Sequence, residues 1–62
     1  MKRNDLIRHL EQYGCEFLRE GGQHTVYIKR LEKKISTIPR HREIDENLCR
    51  KICKDLGIPK PN

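Results

Sequence analysis

The stretch Gln23-His24-Thr25-Val26-Tyr27-Ile28-Lys29-Arg30 decides how this chain folds. His24, Val26 and Ile28 alternate with Thr25, Tyr27 and Lys29, and β-branched residues are frequent, so the segment reads as a strand with two distinct faces. Immediately before it, Gly21 and Gly22 mark a tight turn, and Cys15 to Glu20, with Phe17 and Leu18, suits a partner strand. Beyond it, Leu31, Glu32 and Lys33 turn the chain again and Lys34 to Ile38 returns as a third strand. Pro39 ends that strand because it has no N–H to give to a ladder.

Outside this meander the apolar period changes from two to that of a helix. Leu6, Ile7, Leu10 and Tyr13 recur at helical spacing, with Asn4 as the expected N-cap, Asp5 in the first turn and Gly14 at the left-handed stop. Near the other end Leu48, Cys49, Ile52, Cys53 and Leu56 form an apolar stripe. Asp45 is its expected N-cap, Ile44 and Cys49 are placed for a hydrophobic staple, and Gly57 is the stop. Pro59 and Pro61 prevent continuation, so 59–62 reads as a frayed tail. The order is α-β-β-β-α, class α+β: a three-stranded antiparallel sheet with two helices on one face, since each stripe needs a sheet face to bury against. The opposite face is expected to be open to solvent.

Length and composition narrow the possibilities. Sixty-two residues make one domain, placed over 1–58, and only 34% of them are hydrophobic, with one Phe, two Tyr and no Trp, so the core must be thin. No apolar run approaches the roughly 18 residues of a membrane span, and MKRNDLIRHLEQ carries no secretory apolar stretch. A cytoplasmic protein without membrane contact is expected. Cys15, Cys49 and Cys53 cannot all pair with one another, which favours reduced thiols. Cys49 and Cys53 share a helix face at a spacing compatible with two metal ligands, and His9, His24 or His41 could complete a set. No CxxC or HxxxH pair exists, however, so core thiols are favoured and neither metal nor cofactor is expected.

The net charge of +5 is concentrated. Lys29, Arg30, Lys33, Lys34, Arg40 and Arg42 face only Glu32 within 29–42, which accounts for the whole excess, while the rest of the chain is balanced. A solvated hairpin is the bland alternative, but this concentration favours a polyanion-binding face, with nucleic acid as the leading partner class. His24, directly after Gly21-Gly22-Gln23, could meet a phosphate, because glycines let a backbone approach a ligand closely. Period-two counting puts His24 on the face of Val26 and Ile28, which could be the core face; a rim position or a bulge would still expose it.

Several short motifs, in order, carry a resemblance. Tyr13-Gly14 closes the first helix, Glu16-Phe17 opens an aromatic-containing strand, and Gly22-Gln23-His24 and Tyr27 follow. Ile38-Pro39-Arg40-His41 comes next, and Leu48-Cys49-Arg50-Lys51-Ile52 with Leu56-Gly57-Ile58 closes the series. Together they span roughly Lys2 to Ile58, and the chain resembles the HicA (YcfA-like) mRNA interferase toxin family of type II toxin-antitoxin systems. The resemblance implies a double-stranded-RNA-binding-domain-like fold, ribosome-independent cleavage of mRNA, a cognate HicB-like antitoxin as partner, and His24 as the catalytic histidine. Two positions depart from the family pattern: Gln23 replaces Ser or Thr, and Asp45-Glu46-Asn47 replaces a commonly Pro-Gly-containing start of the last helix. Gln23 still donates and accepts hydrogen bonds but is longer than Ser.

RNA supplies its own nucleophile, the 2′-hydroxyl, so one histidine as general acid/base plus cations to hold phosphate could suffice. His24 is the expected catalytic residue and Lys29, Arg30, Lys34 and Arg40 the expected RNA-binding set, in a reaction that needs no metal. His41 could be a second acid/base, but a role in shaping its loop or contacting RNA is favoured, and Tyr27 is expected to pack across strands rather than stack on a base. The rivals are a non-catalytic RNA-binding module of the same shape and a protein-interaction subunit that docks its partner by strand addition.

Overall fold

A computed structural model describes residues 1–61; Asn62, the last residue of the expected tail, lies outside the described residues. The first helix, α1, spans Arg3–Gln12. It starts before Asn4, the expected cap: Lys2 holds the N-cap position in extended backbone and makes no side-chain cap hydrogen bond. Tertiary contacts set that boundary instead. Lys2 bridges Glu43, and the Arg3 N–H donates to the Arg42 carbonyl at 2.9 Å, so the loop before the last helix satisfies one of the orphan donors. The C-terminal stop falls where expected. Gly14 takes φ 85°, and the N–H groups of Gly14 and Cys15 return to the carbonyls of Glu11 and Leu10, an arrangement that places Cys15 under the helix end. Leu6 and Leu10 are fully buried, whereas Tyr13, just past the helix, is exposed and lies 5.0 Å from the His9 ring.

Strands β1 (Glu16–Gly21), β2 (His24–Lys29) and β3 (Lys34–Pro39) form an antiparallel sheet in the order β1-β2-β3. Gly22 and Gln23 make a two-residue hairpin loop with positive φ at Gly22 only, where glycine costs nothing sterically. Residues 30–33 make the second turn, closed by Lys33 N–H to the Arg30 carbonyl and by a left-handed Lys33 at φ 56°. Pro39 is the last residue of β3 itself, on an edge strand where a missing N–H is tolerated. Helix α2 (Glu46–Leu56) starts as expected, Asp45 accepting from the Asn47 N–H at 3.0 Å, and stops at left-handed Gly57.

Both helices bury their stripes against one sheet face. The core joins Leu6, Leu10, Tyr27, Ile38, Ile44, Ile52, Leu56 and Ile58 with all three cysteines, which are free and buried. Burial pushes all three thiols up, Cys53 to about 11, so each stays protonated at neutral pH and acts as a small apolar residue. The other sheet face carries no helix.

Candidate functional site

Cross-strand neighbours share a face, so the register fixes what points where. Thr25 pairs with Ile38 and Tyr27 with Ser36; Tyr27 and Ile38 belong to the core, so these four look toward the helices. His24, Val26 and Ile28 therefore look the other way. The face that period-two counting left ambiguous is the open one, and His24 is exposed on it. It stands at the rim, paired with Gly21 on one side and Pro39 on the other. Gly21 offers no side chain to screen the imidazole, Pro39 has only its compact ring, and the adjoining turn is glycine-led. Tyr27, on the opposite face, is buried and meets Phe17 edge-on at 6.2 Å; it is a packing partner, as expected.

Beneath that rim lies a polar network that local sequence patterns did not reveal. The Thr25 hydroxyl, 3% exposed as a residue, donates to Glu20 Oε1 at 2.8 Å and accepts from Arg3 Nη2 at 2.9 Å. Arg3 Nε also donates to the Pro39 carbonyl at 3.1 Å, and Arg40 Nη1 pairs with Glu20 Oε2 at 3.1 Å. One residue from each of α1, β1 and β2, together with the end of β3, is thereby tied into the structure around His24. The network depends on an irregularity in β1. Its register shifts between Phe17 and Arg19, so Leu18 is an extra residue, and only that bulge turns Glu20 to the helix face where it meets Thr25.

The expected cations divide into two groups. Arg40 follows Pro39, the cross-strand partner of His24, but its guanidinium turns to Glu20 on the helix face, and His41 is exposed in the same loop. Lys29, Arg30 and Lys34 sit at the far end of the sheet, about 17 Å along β2 at the usual strand rise. Two of the three are ion-paired there. Lys29 pairs with Glu32 at 3.4 Å and Arg30 with Glu16 at 3.1 Å, while the Lys34 side chain crosses the C-terminus of α2 so closely that a β-carbon at Gly57 would lie 2.9 Å from its Nζ. On the His24 side, fold rather than sequence brings in further cations. Lys2, Arg3 and Arg8 of the α1 region meet Arg40 and Arg42 across a groove of about 710 Å³, with Asp5 as the acidic residue lining it. Nearly forty residues separate the two segments, so no spacing rule could have joined them.

Among the described residues, no group of three or more His, Cys, Asp or Glu is placed to hold a metal ion, and no helix is long and apolar enough to cross a membrane. A family model described as the HicA toxin of bacterial toxin-antitoxin systems matches residues 3–58, a range that takes in all five elements. No curated protein and no solved structure gives a significant match.

Proposed function

The chain belongs to the HicA toxin family of bacterial toxin-antitoxin systems, and from that premise we propose that it is an endoribonuclease that cleaves mRNA in the cytoplasm with His24 as general acid/base, restrained by a cognate HicB-like antitoxin. The observation that carries this reading is the exposure of His24 on the helix-free face, between Gly21 and Pro39 and next to Arg40. A ribose can approach that ring from solvent without moving the fold.

The chemistry asks for little more. His24 takes the proton of the ribose 2′-hydroxyl, the 2′-oxygen forms a bond to the adjacent phosphorus, and the bond from phosphorus to the 5′-oxygen breaks. The departing 5′-oxygen receives a proton from the imidazolium so formed or from water, leaving a 2′,3′-cyclic phosphate and a 5′-hydroxyl. Arg40, one residue past the cross-strand partner of His24, turns from Glu20 to supply positive charge near the developing phosphorane, and His41 contacts the strand from the same loop. Lys29, Arg30 and Lys34 act at a distance of several nucleotides. No step in this scheme calls for a divalent cation, and DNA, without the 2′-hydroxyl, is not cut.

The test is incubation of the purified protein with RNA, with and without EDTA, beside His24→Ala. Cyclic-phosphate products that persist in EDTA and vanish in His24→Ala, with RNA binding kept, support the proposal. Cleavage that is lost in EDTA and restored by Mg²⁺ refutes the metal-independent chemistry, and cleavage unchanged in His24→Ala refutes the assigned residue. RNA binding without any cleavage identifies the non-catalytic module instead.

A further inference from the structure

The groove between the start of α1 and the loop after β3 is absorbed neither by the catalytic scheme nor by the basic hairpin. Five cations line it, Lys2, Arg3, Arg8, Arg40 and Arg42, against the single carboxylate of Asp5, which is itself engaged by Arg8. Four of the five are arginines, whose planar guanidinium fork matches phosphate oxygens better than an ammonium does. Two of them are held in place before any ligand arrives. Arg3 is pinned by the Pro39 carbonyl and Thr25, and Arg40 by Glu20. Among the described residues Lys2 and Arg42 form no ion pair, and both are exposed. The groove also begins where the proposed active site ends: Pro39 is the cross-strand partner of His24, and Arg40, one residue on, lines the groove.

We propose that this groove is the track for the RNA backbone flanking the cleaved bond, so that the substrate runs from His24 over Pro39 and Arg40 onto the start of α1. The proposal rests on the ribonuclease reading above and extends it by naming where the strand lies. It also reverses the weighting expected from sequence, which put the binding charge on the 29–34 hairpin. The hairpin cations stand about 17 Å from His24 along β2, with Lys29 and Arg30 paired to Glu32 and Glu16, whereas the groove starts at Arg40, one residue past the cross-strand partner of His24.

Binding of a short fluorescent 2′-O-methyl RNA, which cannot be cleaved through its 2′-oxygen, is measured by anisotropy across a salt series. The proteins compared are the wild type, the double variant Lys2→Gln with Arg42→Gln, and the charge-matched double variant Arg50→Gln with Lys54→Gln on the exposed side of α2. Single-strand binding loses a log–log salt slope of about 0.7 per phosphate contact, so removing two contacts should flatten the slope by about 1.4 and weaken binding about 25-fold at 0.1 M salt. Lys2→Gln alone, at an exposed position, should cost about fivefold, and it stands in if circular dichroism shows the double variant unfolded. The α2 variant should stay within about threefold of wild type, the allowance for lost net charge alone. Equal losses in the groove and α2 variants would reduce the effect to overall charge and overturn the proposal. Unchanged RNA affinity in the groove variants would overturn it too. The two readings fail separately: wild type that binds through the groove but never cuts ordinary RNA sinks the ribonuclease and leaves the track, while wild type that cuts RNA but is indifferent to the groove substitutions sinks only the track.

Discussion

Thr25→Val tests the polar network beneath the His24 rim with the least change in shape. Valine keeps the volume and the strand preference of threonine but removes one oxygen, and with it the bonds to Glu20 Oε1 at 2.8 Å and from Arg3 Nη2 at 2.9 Å. Hydrogen bonds to charged groups contribute about 1.5–3 kcal/mol each when fully buried. Here the Glu20 carboxylate is 47% exposed and Arg3 half-buried, so water replaces part of what is lost. The net cost comes to about 1–2 kcal/mol for the pair. For a chain of this size the unfolding entropy is about 0.13 kcal/mol per kelvin, so Tm should fall by about 8–15 °C. A domain of this length has only about 3–9 kcal/mol in total, which makes the loss easy to see. Thermal melts followed by far-ultraviolet circular dichroism provide the measurement, with Thr37→Val as control, an exposed threonine on the open face of β3 expected to move Tm by no more than about 4 °C. In combination with Arg3→Met the two losses should be less than additive, because both substitutions break the same bond. If Thr25→Val melts no lower than Thr37→Val, the hydroxyl does not hold the rim together and the account of how Arg3 and Glu20 are positioned is wrong.

Two further outcomes follow from the helices and the core. Asp45→Ala removes the acceptor of the Asn47 N–H and should destabilise the protein by about 1 kcal/mol, with Asp45→Asn largely restoring it; equal stability of all three proteins in urea titrations would show that the cap is idle. The unfolded chain releases a thiol proton near 9.0 while folded Cys53 holds its own to about 11, so between those pH values the unfolded state binds fewer protons and stability drops as pH rises. The drop attributable to Cys53 should be on the order of 2–3 kcal/mol, and Cys53→Ala melts that show the same pH dependence as wild type would contradict it.

Local pattern was enough to determine the order of elements. The alternation of His24 to Lys29, the helical spacing of Leu48 to Leu56, the stops at Gly14 and Gly57 and the cap at Asp45 each rest on backbone preferences that act within a few residues, and each stands in the structure where the chain alone placed it. The motifs from Tyr13-Gly14 to Gly57-Ile58 likewise identified the toxin family, since order and spacing along one chain suffice for that. What sequence could not decide was which way the sheet faces, because alternation defines two sides without saying which one the helices cover. Tertiary packing chose the Thr25 and Tyr27 side and so left His24 in solvent. It also moved the start of α1 back from Asn4, because the contacts of Lys2 and Arg3 with the 42–43 segment are long-range. The bulge at Leu18, the tie from Arg3 through Thr25 and Glu20 to Arg40, and the groove where Lys2 and Arg8 meet Arg42 all have the same origin. They join residues far apart along the chain, and the geometry that brings such charges together exists only after the core has closed.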